Sequence, residues 1–170
     1  MTVAEAVAEW LHEKGIRHAF GIIGAGNLAL WEAIERKGAT NLVCCHHEQA
    51  AAMAASFYQR TTGRIAVCLV TTGAGSTNAI TGVMAAWMDS TPLIVISGNE
   101  TAASLDGNTR VLGVQGFRSA HAAEHYAKDS HCVSAKQAIL FLDDALDVAL
   151  LPRQGPVWID IPRDVQLAPV

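Results

Sequence analysis

Charge is scarce in this 170-residue sequence: 16% of the residues are charged, whereas 51% are hydrophobic. The formal net charge is −4, and Lys and Arg form no run along the chain. These features argue against nucleic acid or an anionic membrane as the main partner. Because so few charges leave little to cover a surface, we expect part of the apolar surface to meet another protein.

Features of export and of membrane insertion are also missing. The first twenty residues carry charges throughout and predict an amphipathic helix instead of a signal peptide, and no apolar run is long enough to span a bilayer. The four cysteines, at positions 44, 45, 68 and 132, show no CxxC spacing. We interpret the adjacent Cys44 and Cys45 as small buried hydrophobic residues, not as part of a disulfide framework. The cytoplasm is therefore the expected location.

Apolar segments alternate with helical periodicity along the whole sequence. Thr2 and Glu5 have the spacing of a capping box at the start of the first helix. Strands that are apolar throughout, alternating with helices, predict an α/β fold in which helices cover both faces of a parallel sheet. We expect one domain over residues 1–170, with residues 99–119 as a functional or interface loop. The predicted strands are 16–23, 41–46, 65–71, 93–97 and 157–161, and the predicted helices are 3–14, 28–37, 49–62, 77–88 and 135–151.

A first glycine loop, Gly24-Ala25-Gly26-Asn27, follows the first predicted strand. With Ala29 it fits GxGxxA, and Glu48 lies about twenty residues further on, as in a dinucleotide-binding turn. A tight strand-to-helix turn without a ligand explains the same residues. A dinucleotide fold also usually opens with this strand, whereas here a helix precedes it. A nucleotide-binding oxidoreductase is thus one alternative for the function.

Glu48 follows His46 and His47 at the end of the second predicted strand and opens an alanine-rich helix. A carboxyl group packed among alanines is desolvated and suits proton exchange near neutral pH. The alternative is an acidic residue in a first helical turn, where the helix dipole favours it. We do not expect His46 and His47 to bind a metal, because neighbours on a strand point to opposite faces. No metal site is predicted within this chain.

A second glycine loop follows the third predicted strand and contains Thr72, Gly73, Gly75 and Asn78. These residues are candidates for bracing a cofactor, although a helix start capped by Ser76 or Thr77 is an alternative. Ligands of open α/β sheets bind outside the carboxyl ends of the strands. Both glycine loops and Glu48 follow such ends, so we expect them to converge on one site.

Taken together and in order, these segments resemble the pyrimidine-binding domain of thiamin-diphosphate enzymes, in the acetolactate synthase-like branch. The resemblance covers nearly the whole chain. It lies in Phe20-Gly21, Gly24-Ala25-Gly26-Asn27, His47-Glu48-Gln49-Ala50-Ala51, Thr71-Thr72-Gly73-Ala74-Gly75-Ser76-Thr77-Asn78, Met88-Asp89-Ser90-Thr91-Pro92-Leu93 and Gly155-Pro156-Val157-Trp158-Ile159-Asp160-Ile161-Pro162-Arg163-Asp164-Val165-Gln166.

The resemblance implies a catalytic role for Glu48. Its counterpart hydrogen-bonds the pyrimidine nitrogen N1′ of thiamin diphosphate and favours the tautomer that takes the proton from the thiazolium ring. The implied reaction is decarboxylation of a 2-oxo acid, with or without carboligation. The implied cofactor contacts are Gly24, Ala25, Gly26, Asn27, Thr72, Gly73, Gly75 and Asn78.

The family holds Mg²⁺ and the diphosphate with a GDG segment followed by an Asn, and this sequence has no such pair. Asp106-Gly107-Asn108 is too short and lies in the wrong place. We therefore expect the diphosphate-binding half, with most of the Mg²⁺ contacts, on a second chain in a hetero-oligomer such as a heterotetramer. Sulfopyruvate decarboxylase is split in this way. The closing strand and Pro162 favour the split enzyme over a fragment, and a non-catalytic structural or regulatory partner is a further alternative.

The substrate-facing stretch departs from the family pattern. The synthases carry Ala-Phe-Gln-Glu where this chain has Gly116-Phe117-Arg118-Ser119, so only Phe117 matches. Gln115, Phe117 and Arg118 are the candidate substrate contacts. Arg118 is suited to bind a substrate anion with both of its terminal nitrogens, although a solvated loop arginine is an alternative. The resemblance thus leaves both the 2-oxo acid and the acceptor open.

Overall fold

Six parallel strands form the centre of the computed structural model, which describes residues 1–105 and 113–170. In chain order the strands are β1 (His18–Gly21), β2 (Asn41–Cys44), β3 (Val67–Val70), β4 (Leu93–Asn99), β5 (Asp129–Cys132) and β6 (Pro156–Pro162). Across the sheet they lie in the order β2-β1-β3-β4-β6-β5, and each of these neighbouring pairs is parallel. The predicted parallel α/β sheet is confirmed.

Helices cover both faces of this sheet, as predicted. The helices are α1 (Val3–Glu13), α2 (Leu28–Lys37), α3 (Glu48–Thr62), α4 (Ala74–Met88), α5 (Ala102–Leu105), α6 (Ser119–Ala123), α7 (Ala138–Leu150) and α8 (Arg163–Leu167), with 3₁₀ turns at Gly113–Gln115 and Glu124–Tyr126. Alternate side chains of β4 divide between two cores: Ile94 and Ile96 pack with α1, α2 and α7, whereas Val95 packs with α3 and α4. None of the described helices has both the length and the apolar character needed to cross a membrane.

Local sequence patterns predicted where α1 begins but not where α4 begins. The capping box is present, because Thr2 Oγ1 accepts from the Glu5 amide at 3.2 Å and Glu5 Oε2 accepts from the Thr2 amide at 2.9 Å. The expectation that Ser76 or Thr77 caps α4 is wrong. The helix begins three residues earlier, at Ala74, and the Ser76 hydroxyl donates instead to the Thr71 carbonyl at 2.8 Å.

Two further differences from the predictions lie at the edge strands of the sheet, β2 and β5. The sequence did not predict β5, a polar strand that pairs only with β6 and therefore needs no apolar pattern. Cys44 lies on the edge strand β2 and is exposed, so its assignment as a buried hydrophobic residue is wrong, and Cys45 is half-buried. Neither of them forms a disulfide within the part of the chain that the structure describes.

The stretch expected to be irregular is partly helical. β4 extends to Asn99, α5 follows it, and a 3₁₀ turn occupies Gly113–Gln115. Residues 106–112, including the Asp106-Gly107-Asn108 triplet, lie outside the described residues.

Helices α3 and α4 pack closely because a glycine lies at their contact. A Cβ atom built on Gly82 would lie 2.6 Å from Ala52 Cβ and 3.1 Å from the Gln49 carbonyl oxygen. The first distance is too short for a real methyl group and the second is tighter than most real contacts, so only glycine permits this separation without movement. The contact sets α4 against the first turns of α3, where Glu48 begins the helix.

A buried carboxylate joins the carboxyl ends of β4 and β6. Asp160 is fully buried, and its Oδ1 accepts from the Ser97 hydroxyl at 2.6 Å. Its Oδ2 accepts from Asn99 Nδ2 at 2.6 Å and from the Ser119 hydroxyl at 2.8 Å. Trp158 Nε1 donates to the Ser97 hydroxyl oxygen at 2.9 Å. Burial raises the pKa of Asp160 from 3.8 to about 6, in spite of these donors.

This pKa predicts a pH dependence of stability. Between about pH 4 and pH 6 the folded chain retains a proton on Asp160 that the unfolded chain has lost, so the contribution of Asp160 to stability falls as the pH rises. Asp160→Asn removes the titration. We expect the stability of the wild type relative to Asp160→Asn to fall by up to about 3 kcal/mol between pH 4 and pH 7, measured by urea unfolding. A difference independent of pH would contradict this.

Candidate functional site

The connections that leave the first and third strands lead towards opposite edges of the sheet. The chain leaves β1 towards α2 on one face and leaves β3 towards α4 on the other, and β1 and β3 are neighbours in the sheet. Such a switch point opens a crevice outside the carboxyl ends of the strands. Both predicted glycine loops border this crevice, at residues 22–27 and 71–75.

The first loop is held against the second by backbone and hydroxyl contacts. The Gly26 amide donates to Thr71 Oγ1 at 3.1 Å. A Cβ atom on Gly24 would lie 2.5 Å from Thr71 Oγ1, and one on Gly26 would lie 2.2 Å from Thr72 Cγ2. The two glycines thus allow the loops to meet, and Ala25 lies between them with an exposed side chain.

Asn27 shapes the first loop from within. Its Oδ1 accepts from the Gly24 amide at 2.8 Å, its Nδ2 donates to the Ile22 carbonyl at 3.0 Å, and the residue is fully buried. Its polar side-chain atoms are therefore engaged inside the loop. A direct contact between Asn27 and a cofactor stays a prediction.

Glu48 lies at the first turn of α3 and faces the second glycine loop. The residue is 9% exposed, and its Oε2 accepts from Asn78 Nδ2 at 3.0 Å. A Cβ atom on Gly75 would lie 3.3 Å from Glu48 Oε1. No hydrogen bond to Oε1 is found among residues 1–105 and 113–170, so this oxygen can accept from, or donate to, a bound group. The sequence therefore identified three residues, Glu48, Gly75 and Asn78, that lie together.

The two histidines before Glu48 lie in different surroundings. His47 is the N-cap of α3, where its Nδ1 accepts from the Gln49 amide at 3.2 Å. His46 is exposed. Within the described residues, no group of His, Cys, Asp and Glu side chains has the geometry of a metal site.

The predicted substrate residues separate into two groups. Gln115 lies at the site, because its Oε1 accepts from the Thr72 hydroxyl at 2.7 Å. Arg118 lies elsewhere: its Nε donates to the Leu105 carbonyl at 3.1 Å, and it borders a cavity of about 480 Å³ at the carboxyl ends of β5 and β6. Phe117 lies between them, and its carbonyl accepts from Asn99 Nδ2 at 3.1 Å.

Two residues that hold the first loop were missed by the sequence analysis. Gln166 is fully buried, and its Nε2 donates to the Gly26 carbonyl at 2.6 Å and to the Ile161 carbonyl at 2.7 Å. A Cβ atom on Gly98 would lie 1.9 Å from Gly26 oxygen. Gln166 ends the closing segment that carries the family resemblance. No local sequence pattern, however, links it to Gly26, which lies 140 residues earlier in the chain.

A thiamin enzyme domain matches this chain. The family described as "Thiamine pyrophosphate enzyme, N-terminal TPP binding domain" matches residues 1–125. The chain belongs to this family. The pyrimidine-binding resemblance is thereby confirmed, and the match gives no support to a nucleotide-binding oxidoreductase.

Several proteins that are similar in sequence to this chain are named acetolactate synthases. The large subunit from Buchnera aphidicola subsp. Schizaphis graminum is 39% identical over 166 residues, which is 95% of this chain and 28% of that protein. The isozyme 2 large subunit from Escherichia coli K12 is 36% identical over 170 residues, covering 99% of this chain and 30% of that protein. An acetolactate synthase from Arthrospira platensis is 34% identical over 170 residues, covering 97% and 28%. The chain thus spans less than a third of the length of these relatives.

Gly73 provides a test of how the second loop is packed. Its φ is 59°, and a Cβ atom there would lie 2.4 Å from the Val114 carbonyl oxygen and 2.7 Å from Gln115 Cα. Gly73→Ala therefore adds overpacking, worth about 1–3 kcal/mol, to the backbone strain of a positive φ, worth about 1–2 kcal/mol. Gly63→Ala is the control for a positive φ in open space: φ is 72° and ψ is 5° there, compared with a ψ of −118° at Gly73.

We expect urea unfolding to show a larger loss of stability for Gly73→Ala than for Gly63→Ala. Equal losses in the two variants would contradict the packing of the 3₁₀ turn Gly113–Gln115 against the second loop.

Proposed function

We propose that this chain supplies the activating glutamate and the pyrimidine-binding half of a thiamin-diphosphate-dependent enzyme that acts on a 2-oxo acid. Thiamin diphosphate is another name for thiamine pyrophosphate. The observation that carries the proposal is the carboxylate of Glu48, nearly buried at the crevice between two glycine loops, with one oxygen held by Asn78.

The residues around the crevice fit the cofactor. Glu48 Oε1 is without a hydrogen bond among the described residues, which suits contact with a ring nitrogen. Gly24 and Gly26 let the first loop pack closely against Thr71 and Thr72, and Thr72, Gly73 and Gly75 belong to the second loop. Thiamin diphosphate, when bound, supplies an electron sink for the carbanion left after a 2-oxo acid loses CO₂.

Three functions fall to this chain in the proposed enzyme. Glu48 holds or releases a proton at its carboxylate once a partner covers the crevice and excludes water from it. Asn78 fixes the orientation of the carboxylate through Oε2. Gln115, tied to Thr72, forms the wall that faces the substrate.

A second protein surface is needed to close the site. Glu48 lies on an open crevice, and the two cavities of about 480 Å³ do not include it. Helices α3 and α4 begin at the crevice, and further along they expose Phe57 (57%), Met84 (41%) and Met88 (68%). Exposed apolar faces of this kind are typical of protein interfaces. We propose that a second chain with the GDG and Asn segment covers them and holds the diphosphate and Mg²⁺, as a hetero-oligomer in the cytoplasm.

The relatives bear on the reaction class. They are named acetolactate synthases, which supports a 2-oxo acid as the substrate of this chain's enzyme. Arg118 borders the cavity at the ends of β5 and β6, and a contact between Arg118 and the substrate anion stays a prediction.

The central prediction concerns Glu48→Gln. Glutamine keeps the side-chain volume and can still accept from Asn78, so we expect the same unfolding midpoint and the same assembly as the wild type. Because the amide cannot exchange a proton, we expect turnover of pyruvate to fall at least about 100-fold, at the low end of the usual contribution of a general acid or base. The assay is CO₂ release by the chain co-expressed with a candidate diphosphate-binding chain.

Glu35→Gln is the matched control. Glu35 is exposed on α2, away from the crevice, so this variant should retain the activity of the wild type. Turnover by Glu48→Gln near the level of Glu35→Gln would show that the chain is a non-catalytic partner.

A further inference from the structure

One short segment connects the candidate site with the buried carboxylate of β6. At its beginning, Gln115 accepts from Thr72, and the backbone of Val114 and Gln115 packs on Gly73. Four residues later, Ser119 donates to Asp160. The segment 114–119 is thus held at one end by the second glycine loop and at the other by the sheet.

The connection at the sheet end has three members. Asn99, the last residue of β4, donates to Asp160 Oδ2 at 2.6 Å and to the Phe117 carbonyl at 3.1 Å. Asn99 Nδ2 also lies 3.1 Å from Ser119 Oγ. Asn99 and Ser119 are both almost inaccessible to solvent. Removal of the acceptor Oδ2 would therefore leave two buried polar groups without their shared partner.

We propose that Asp160 is a positioning residue: through Asn99 and Ser119 it fixes the segment 114–119, and thereby places Gln115 against Thr72 in the wall that faces the 2-oxo acid. The part of this inference that concerns the substrate rests on the proposed function. The part that concerns the segment does not.

The network requires a side chain at position 160 with two hydrogen-bonding atoms. A buried ionised carboxylate costs free energy that neutral donors only partly offset, and an apolar residue of similar size is often no less stable. Stability alone therefore gives little reason for Asp160. A carboxylate, however, accepts on both oxygens: Oδ1 binds Ser97 on β4, while Oδ2 binds Asn99 and Ser119. It can thus join the sheet to the start of α6.

Hydrogen–deuterium exchange of the isolated chain tests the positioning role without any turnover. In Asp160→Ala we expect the amides of residues 114–120 to exchange at least about tenfold faster, because local opening no longer breaks the bonds to Oδ2. Asp160→Asn should remain within about threefold of the wild type, since its single carbonyl can still accept from Asn99 and Ser119 while its amide donates to Ser97.

Thr40→Ala is the control for a general loss of stability. Thr40 is buried, and its hydroxyl donates to the Ile16 carbonyl at 2.7 Å. This bond joins the residue just before β2 to the segment that follows α1. This variant loses one buried hydrogen bond and should leave the exchange of 114–120 unchanged at matched stability. If Asp160→Ala does not fold, Ser119→Ala replaces it, with an expected acceleration of at least about threefold. Unchanged exchange in a folded Asp160→Ala or Ser119→Ala, or equal acceleration in Thr40→Ala, would overturn the proposal.

The assembled enzyme tests the link to the substrate, with pyruvate as the probe. Ser119→Ala should raise KM at least about fivefold, lower kcat less, and leave the Kd of thiamin diphosphate unchanged, because the substrate wall is displaced but Glu48 is not. An unchanged KM would overturn the substrate part. If the wild type shows no turnover, the proposed function fails, while the exchange experiment still decides the role of Asp160.

Discussion

The contact between two strand-to-helix loops is the constraint on which the candidate site depends. The Gly26 amide donates to Thr71 Oγ1, and neither Gly24 nor Gly26 has room for a side chain beside Thr71 and Thr72. This contact lies where the connections from β1 and β3 lead towards opposite edges of the sheet. It therefore sets the separation of the two loops that border the crevice. Gly98 and Gln166 hold the first loop from the opposite side, which ties the crevice to β4 and α8.

The orientation of Glu48 follows from this packing. Its hydrogen-bond donor within the described residues is the neutral amide of Asn78, which holds one carboxyl oxygen in place. A group of that kind is suited to exchange a proton with a bound ligand. The crevice is open, however, and catalysis requires exclusion of water. The exposed apolar faces of α3 and α4 offer the surface that a covering partner would need.

The sequence predicted most of the fold because apolar runs and capping signals are local. The strands that became β1, β3, β4 and β6, and the capping box of α1, all follow from such signals. β5 escaped prediction because a half-exposed edge strand needs no apolar alternation. The early start of α4 at Ala74 follows a positive φ at Gly73, where Val114 and Gln115 leave no room for a side chain, and no local pattern shows either feature.

The convergence of the site was predicted from the rule that ligands bind at the carboxyl ends of parallel strands. Glu48, Gly75 and Asn78 lie together as that rule implies, although their contacts with a cofactor stay predictions. What could not be predicted were contacts between distant segments, such as Gln166 with Gly26 and Asp160 with Ser119. Gln115 and Arg118 are only three positions apart, yet Gln115 contacts Thr72 and Arg118 contacts Leu105. This separation also depends on tertiary packing, so no local pattern predicts it.

The most direct test of the central claim is calorimetric titration of thiamin diphosphate with Mg²⁺. The titrant is added to this chain alone and to the chain co-expressed with a candidate diphosphate-binding partner. We expect weak binding to the chain alone, because the diphosphate half is missing, and tight binding to the mixture. Tight binding by the partner-free chain would contradict the shared site. No binding in either sample, with NAD bound instead, would contradict the assignment of Glu48 and the two glycine loops to a thiamin site.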